Sequence, residues 1–271
     1  MSPELNTRPS ALVTGASSGI GAAFAERLAR DGYDLLIVAR RRERLEALAE
    51  RLRADHGGLV AVLAADLAHP GELAAVEQRA AEEASLALLV NNAGFGAYMP
   101  FKDLDPDQAE ELIRVQVIAI TRLTRAVLPG MLARGRGAII NLASRLAFSA
   151  PLSSPLLPKR ATYAATKAYV ITFTQILADE LAGTGVQVQA LCPGLVPTEF
   201  HQRLQIDPNR LQVPMMAPAD LVDASLAGLR LGEVVCIPAL DDPARLARLD
   251  AAQRDVLSNS GASTPAPRYQ A

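Results

Sequence analysis

A short apolar run, Ala11-Leu12-Val13-Thr14, leads directly into Gly15-Ala16-Ser17-Ser18-Gly19-Ile20-Gly21 and then into a helical pattern that lasts to about Arg30. Three glycines at that spacing constrain the chain more than any other feature. They allow a tight turn, a close approach of backbone to a partner, and close packing of the helix on the strand. The turn also brings the helix N-terminus, with its unpaired N–H groups and positive dipole end, to the end of the strand, where an anion is stabilised. On these residues alone two readings stand: a glycine-rich turn without a ligand, or a cradle for the phosphates of a dinucleotide formed by Gly15, Ser17, Ser18, Gly19, Ile20 and Gly21.

The same alternation continues along the chain. Strand patterns occupy Leu35–Ala39, Leu59–Ala64, Leu86–Asn91, Ala138–Leu142, Val186–Leu191 and Val234–Ile237. Helical patterns fall at about Arg42–Ala54, Glu72–Ala84, Asp107–Leu128 and Thr162–Leu181. Strands that are apolar throughout, separated by amphipathic helices, need cover on both faces. Right-handed crossovers then predict an α/β, Rossmann-type doubly wound, mostly parallel sheet with helices on both faces. No repeat or linker divides the 271 residues, so one domain over 1–271 is expected. Its core spans about 9–240, followed by an amphipathic helix at about 241–258 and a flexible, Pro-rich tail at 259–271.

Half of the residues are hydrophobic and the formal net charge is -2, which gives no electrostatic case for nucleic acid or an anionic membrane as partner. Two cysteines, Cys192 and Cys236, without a CxxC pair argue against a disulfide framework and fit a reducing compartment. Met1–Pro9 lacks a hydrophobic signal core, and no apolar run reaches the roughly 18–20 residues of a membrane span; a cytoplasmic location is expected. His56, His69 and His201 are scattered without partners at ligand spacing, so no metal is expected.

A second constellation carries acid–base chemistry. Tyr163 and Lys167 lie four residues apart on an Ala-rich helical stretch and share a face. A free phenol titrates near about 10, too high for efficient proton transfer at neutral pH, and a neighbouring ammonium lowers that value. Ser144, at the end of a strand, can hydrogen-bond a reacting oxygen. The plainer reading of the pair is a buried tyrosine beside a surface lysine.

Four elements in order give the two constellations a common meaning. Thr14-Gly15-x-x-x-Gly19-x-Gly21, Asn91-Asn92-Ala93-Gly94, Tyr163-x-x-x-Lys167 and Pro193-Gly194 followed by Thr198 resemble, from about Ala11 to Phe200, the short-chain dehydrogenase/reductase family. The resemblance implies that Tyr163 exchanges a proton with the carbonyl or alcohol oxygen. Lys167 lowers the tyrosine pKa and binds the nicotinamide ribose, while Ser144 orients the substrate. It also implies adenine contacts from Asp66 and Leu67, ribose-side contact from Asn92 with Ala93 and Gly94, and nicotinamide contact from Pro193, Gly194, the Val196 backbone and Thr198. Cys192 beside this segment is expected to be a buried structural cysteine.

Two departures stand out. Where the family usually carries an asparagine that helps hold a lysine-linked water, this chain carries Gln116, from which a modified proton relay is expected; the alternative is a helix residue with no catalytic part. The stretch between Ser144 and Tyr163 is also longer than usual. Its extra Leu152–Arg160 segment reads equally as a surface insertion or as a lip over the substrate mouth.

At the end of the second strand the chain reads Ala39-Arg40-Arg41-Arg42, with no acidic residue for the ribose hydroxyls of NAD. Arginine there accommodates a 2′-phosphate, so NADP(H) is favoured over NAD(H). Arg40 is the first candidate, with Ser17 or Arg41 assisting; Arg42 and Arg44 fit the solvated face of the next helix. From Glu199 to about Ala217, Phe200, Leu204, Ile206, Leu211, Val213, Met215 and Met216 alternate with polar residues and prolines. The resemblance implies a mobile substrate lid here, and plain packing accounts for the methionines equally well.

The expected function is NADP(H)-dependent hydride transfer between nicotinamide and a small-molecule carbonyl or secondary alcohol, and the resemblance also implies a homodimer or homotetramer formed through the helices around 107–128 and 162–181. The alternative is a dinucleotide-binding sensor with the same fold and little turnover. The complete Ser144, Tyr163 and Lys167 set speaks against it, and Gln116 speaks for it. A purely structural partner subunit has less support than either.

Overall fold

The computed structural model describes residues 8–154, 157–199 and 214–269. Among them, seven strands form one sheet: β1 (Ser10–Thr14), β2 (Asp34–Ala39), β3 (Val60–Ala64), β4 (Leu86–Asn91), β5 (Gly137–Leu142), β6 (Val186–Leu191) and β7 (Val235–Cys236). Their order is β3-β2-β1-β4-β5-β6-β7 and every pairing is parallel. The α-helices among the described residues are α1 (Gly19–Arg30), α2 (Arg42–His56), α3 (Pro70–Ala81), α4 (Pro106–Ile113), α5 (Ala119–Arg134), α6 (Ala161–Glu180), α7 (Pro218–Arg230) and α8 (Ala244–Ser258).

The chain divides into two units, Met1–Pro238 and Ala239–Ala271. The sheet and α1 to α7 belong to the first. In the second, Asp242 pairs with Arg248 at 3.3 Å and with Arg245 at 3.9 Å near the start of α8, and a short 3-10 turn covers Pro267–Tyr269.

The alternation of side chains along each strand sends its apolar residues to two separate cores. Ala11, Val13, Leu35 and Ile37 pack under α1, α2 and α7 with Phe24, Leu28, Leu45, Leu52 and Leu221. Leu12, Leu36, Val38 and Leu89 pack on the other face with Val76 of α3, Leu123 and Met131 of α5 and Leu177 of α6. Continuous apolar strands are thus explained by cover on both sides. The sheet reverses its winding between β1 and β4, and a crevice opens at their carboxyl ends.

Three differences from the sequence reading have local causes. The helix expected over 107–128 is broken by a π-helical segment, Arg114–Ile118, in which the Ala119 N–H reaches the Arg114 carbonyl. That wide turn keeps both Val115 and Gln116 buried. The structure adds α7, which begins at Pro218 in the position where proline suits a helix start. The continuous stretch 106–134 is, by length and composition, apolar enough to cross a membrane, contrary to the expectation that no segment is. Its inner residues Leu112, Leu123, Val127 and Met131 are buried in the protein, as in a core helix. Residues 200–213, most of the expected lid, lie outside the described residues. So do His201 and, within the insertion, Pro155 and Leu156.

Phe24 is fully buried on the inner face of α1. Phe24→Ala is expected to lower unfolding stability by about 3–5 kcal/mol, measured by chemical denaturation. A loss below about 1 kcal/mol would show that α1 is not packed as described.

Candidate active site

The crevice is a cleft of about 550 Å³, walled by the loops that follow β1 to β6 and by one face of α6. One interaction set fixes its floor. The Thr14 hydroxyl accepts from the N–H groups of Asn92 (2.9 Å) and Ala93 (3.0 Å) and donates to the Val90 carbonyl at 3.3 Å. The Asn92 amide donates to the carbonyls of Thr14 (2.9 Å) and Gly15 (3.3 Å). The loop after β1 is thereby tied to the loop after β4. Gly15 has φ +68 and Gly21 lies against the Gly15 carbonyl and the Asn92 amide, so a Cβ at either position would collide with this lock.

The first turn of α1 opens onto the cleft with Gly19 and Ile20 in its wall. Ser18, at the N-cap, makes no side-chain cap bond, and the turn holds no acidic residue. Arg41 lies across it instead. Its Nη2 donates to the hydroxyls of Ser17 (3.0 Å) and Ser18 (2.8 Å), its Nε to Ser17 (3.2 Å), and its Nη1 to Glu199 at 2.7 Å. An uncapped helix start, two hydroxyls and a guanidinium form a donor set that fits phosphate groups.

Of the two arginines at the end of β2, Arg41, expected to assist Arg40, is the one that lies against Ser17 and Ser18. Arg40 turns to the other side, toward Glu111 at 3.0 Å and Asp66 at 3.7 Å. Successive residues leaving an extended strand point opposite ways, and only one can face the loop after β1. Asp66 also accepts from the Ala68 N–H, which shapes the turn before α3, and Leu67 lines the cleft beside it.

At the other end lie Tyr163 and Lys167 of α6, both buried, with Ser144 at the end of β5. The Tyr163 hydroxyl is hydrogen-bonded by Ser144 and by Tyr98. The Tyr98 ring meets the Tyr163 ring edge-on at 5.1 Å. Burial pushes the Tyr163 phenol above its ordinary value, and the bonds from Ser144 and Tyr98 oppose that rise. The Ser144 oxygen accepts the Leu146 N–H at 3.2 Å, leaving its hydrogen to donate.

Lys167 donates to the Leu142 carbonyl at 2.7 Å, and its Nζ lies 5.7 Å from the Tyr163 ring centre. Burial lowers its pKa to about 7. The nearby Cys192 thiol is itself pushed up to about 12 by burial, which fits a structural cysteine. Pro193, Gly194, Val196 and Thr198 continue the wall from β6 toward the loop after β1, with Thr198 against Gly19.

Gln116 is fully buried, but no direct hydrogen bond joins it to Lys167. Its amide donates to the Phe95 carbonyl at 2.6 Å and accepts a long 3.5 Å bond from Thr166. Gly94 packs against its side chain. Gln116 therefore holds the loop after β4, which carries Tyr98.

The insertion contributes a wall: Leu157 and Pro158 line the cleft. Arg160 anchors it by donating to the Ser149 hydroxyl (2.6 Å) and to the carbonyls of Ser149 and Pro158 (both 2.9 Å). Tyr98, Glu199 and Arg160 are absent from the sequence-derived set, because none belongs to a periodic pattern or a spaced motif. Among the described residues no His, Cys, Asp and Glu cluster could hold a metal ion.

Residues 9–209 match the family model described as short chain dehydrogenase, and the chain belongs to that family of oxidoreductases. A solved structure of a short-chain dehydrogenase from Sphingobium yanoikuyae in complex with NADPH is 43% identical, covers 96% of this chain and 100% of its own, and superposes with a TM-score of 0.89. The bulky-bulky ketone specific alcohol dehydrogenase from Comamonas testosteroni is 37% identical, with coverage of 96% and 98% and a TM-score of 0.86. The oxidoreductase UcpA of Escherichia coli K12 is 32% identical over 247 residues, 89% of this chain and 90% of its own.

Lys167 supplies a pH prediction. Its folded pKa of about 7 lies below the ordinary 10.5, so the unfolded chain binds the extra proton between those values. Stability therefore rises with pH across that window, and the destabilisation is complete below about pH 7. Lys167→Met should raise the melting temperature by a few degrees at pH 7, and that gain should shrink toward pH 10. A uniform change across pH would show that Lys167 is not buried against its charge.

Proposed function

We propose that this protein is an NADP(H)-dependent carbonyl reductase or alcohol dehydrogenase with Tyr163 as general acid–base. The observation that carries the reading is a single cleft with Arg41, Ser17 and Ser18 at one end and the Ser144, Tyr98 and Tyr163 hydroxyls at the other. The likeness to the NADPH complex from Sphingobium yanoikuyae supports the choice of nucleotide. The likeness to the Comamonas testosteroni enzyme supports a ketone with two bulky substituents. The apolar groups around Tyr163, namely Phe95, Tyr98, Leu146 and Leu157, fit such a substrate.

When bound, the nicotinamide supplies or accepts the hydride. Gly15, Gly19 and Gly21 would let the backbone approach a pyrophosphate, and Arg41 with Ser17 and Ser18 would hold the 2′-phosphate. Ser144 donates to the substrate oxygen and fixes its position. Tyr163 gives its proton to that oxygen in reduction and takes it back in oxidation. Tyr98 donates to the Tyr163 oxygen and stabilises the phenolate left behind. Lys167, near its midpoint at neutral pH, gains charge when polar groups enter the cleft, and its ammonium then favours the same phenolate. Gln116 acts through the Phe95 loop.

A homo-oligomer is part of the reading: Ile118, Tyr169 and Ile176, along the stretch from the π-helical segment through α6, expose apolar surface on the first unit.

Tyr163→Phe tests the assignment. It should lower kcat for NADPH-dependent ketone reduction by about 10²–10⁴-fold while leaving the Kd for NADPH within about threefold. Tyr98→Phe should give a smaller loss and shift the pH profile for alcohol oxidation to higher pH. Retention of full activity by Tyr163→Phe would remove Tyr163 from the chemistry.

A further inference from the structure

We infer that Glu199 sets how strongly this chain prefers a phosphorylated adenosine ribose, by competing with the 2′-phosphate for Arg41 and Arg44. The inference rests on the NADP(H) reading and adds to it a specificity-determining residue that acts against the bound phosphate.

Glu199 follows Thr198, whose side chain lies against Gly19 at the start of α1. Its two carboxylate oxygens take separate arginines, Arg41 at 2.7 Å and Arg44 at 2.5 Å. Arg41 is therefore divided. One edge of its planar fork faces the Ser17 and Ser18 hydroxyls, and the remaining nitrogen is held by the carboxylate.

The charge count follows from these contacts. Two guanidinium groups and one carboxylate leave a single net positive charge beside the hydroxyls. A phosphate carries about 1.5 to 2 negative charges at neutral pH. A phosphate seated on Ser17 and Arg41 meets half of the positive charge that the two arginines would offer without Glu199, and it meets the carboxylate itself at close range. NADH carries no phosphate at that position and is not opposed. The arginines hold the Glu199 carboxyl down to about 2, Arg41 first and then Arg44, so it remains charged at any ordinary assay pH. The three side chains are 29%, 34% and 50% exposed for Arg41, Glu199 and Arg44. Solvent screens such a site, and its effect is correspondingly modest and salt-dependent.

The test is calorimetric titration of the full chain with adenosine 2′,5′-bisphosphate and with 5′-AMP, two fragments that need no turnover. Wild type, Glu199→Gln, Arg41→Ala and the double variant are compared at low and high salt. Wild type should prefer the bisphosphate. Glu199→Gln should lower its Kd about threefold to fivefold at low salt and leave the Kd for 5′-AMP within about twofold. That gain should fall below about twofold in the Arg41→Ala background and at high salt. An unchanged bisphosphate Kd in Glu199→Gln overturns the inference, and a raised one shows that Glu199 positions Arg41 for the phosphate. Equal binding of both fragments by wild type and by Arg41→Ala overturns the NADP(H) reading itself, whatever Glu199 does.

Discussion

The Thr14 hydroxyl and the Asn92 amide hold the loops after β1 and β4 together through four contacts of 2.9–3.3 Å. The remaining geometry of the cleft depends on this lock. It sits where the winding of the sheet reverses, so the chain must leave the two strands toward opposite faces and open a crevice between them. It also explains the glycines. Gly15 and Gly21 stand where the backbone passes too close to the Asn92 amide for any side chain, and the same close approach exposes the first turn of α1 to a ligand.

With that floor fixed, the cleft separates two electrostatic tasks. Its α1 end gathers positive charge from Arg41 and Arg44, offset by Glu199. Its α6 end buries an amine and a phenol, Lys167 and Tyr163. Burial disfavours the charged form of both, pushing the lysine down and the tyrosine up. Three hydroxyl groups, from Ser144, Tyr98 and Tyr163, meet there in one hydrogen-bonded set. The insertion before α6 closes one wall over this end through Leu157 and Pro158, anchored by Arg160.

Much of this was legible in the sequence, for identifiable reasons. Strands buried on both faces announce themselves as unbroken apolar runs, and β4 and β6 fall at their expected residues. The glycine loop and the Tyr163–Lys167 spacing are backbone and helix-face requirements, which a linear pattern records directly. Other features depend on direction in space. Arg40 and Arg41 are indistinguishable by type, and only the alternation at the strand end decides which meets Ser17. The π-helical turn at Gln116 adds one residue and shifts the apolar phase once, over too few residues for a periodic pattern to register. Tyr98 and Glu199 reach the site from loops, where no period links a residue to its partner.

One cleft is proposed to bring a nicotinamide and a carbonyl together for direct hydride transfer. Incubation with NADPH dideuterated at nicotinamide C4 and a ketone bearing two bulky substituents, followed by mass spectrometry of the product, decides whether it does. Direct transfer gives a secondary alcohol carrying one deuterium on the carbinol carbon. An alcohol formed without deuterium, or tight NADPH binding with no alcohol from any ketone of that class, would contradict it.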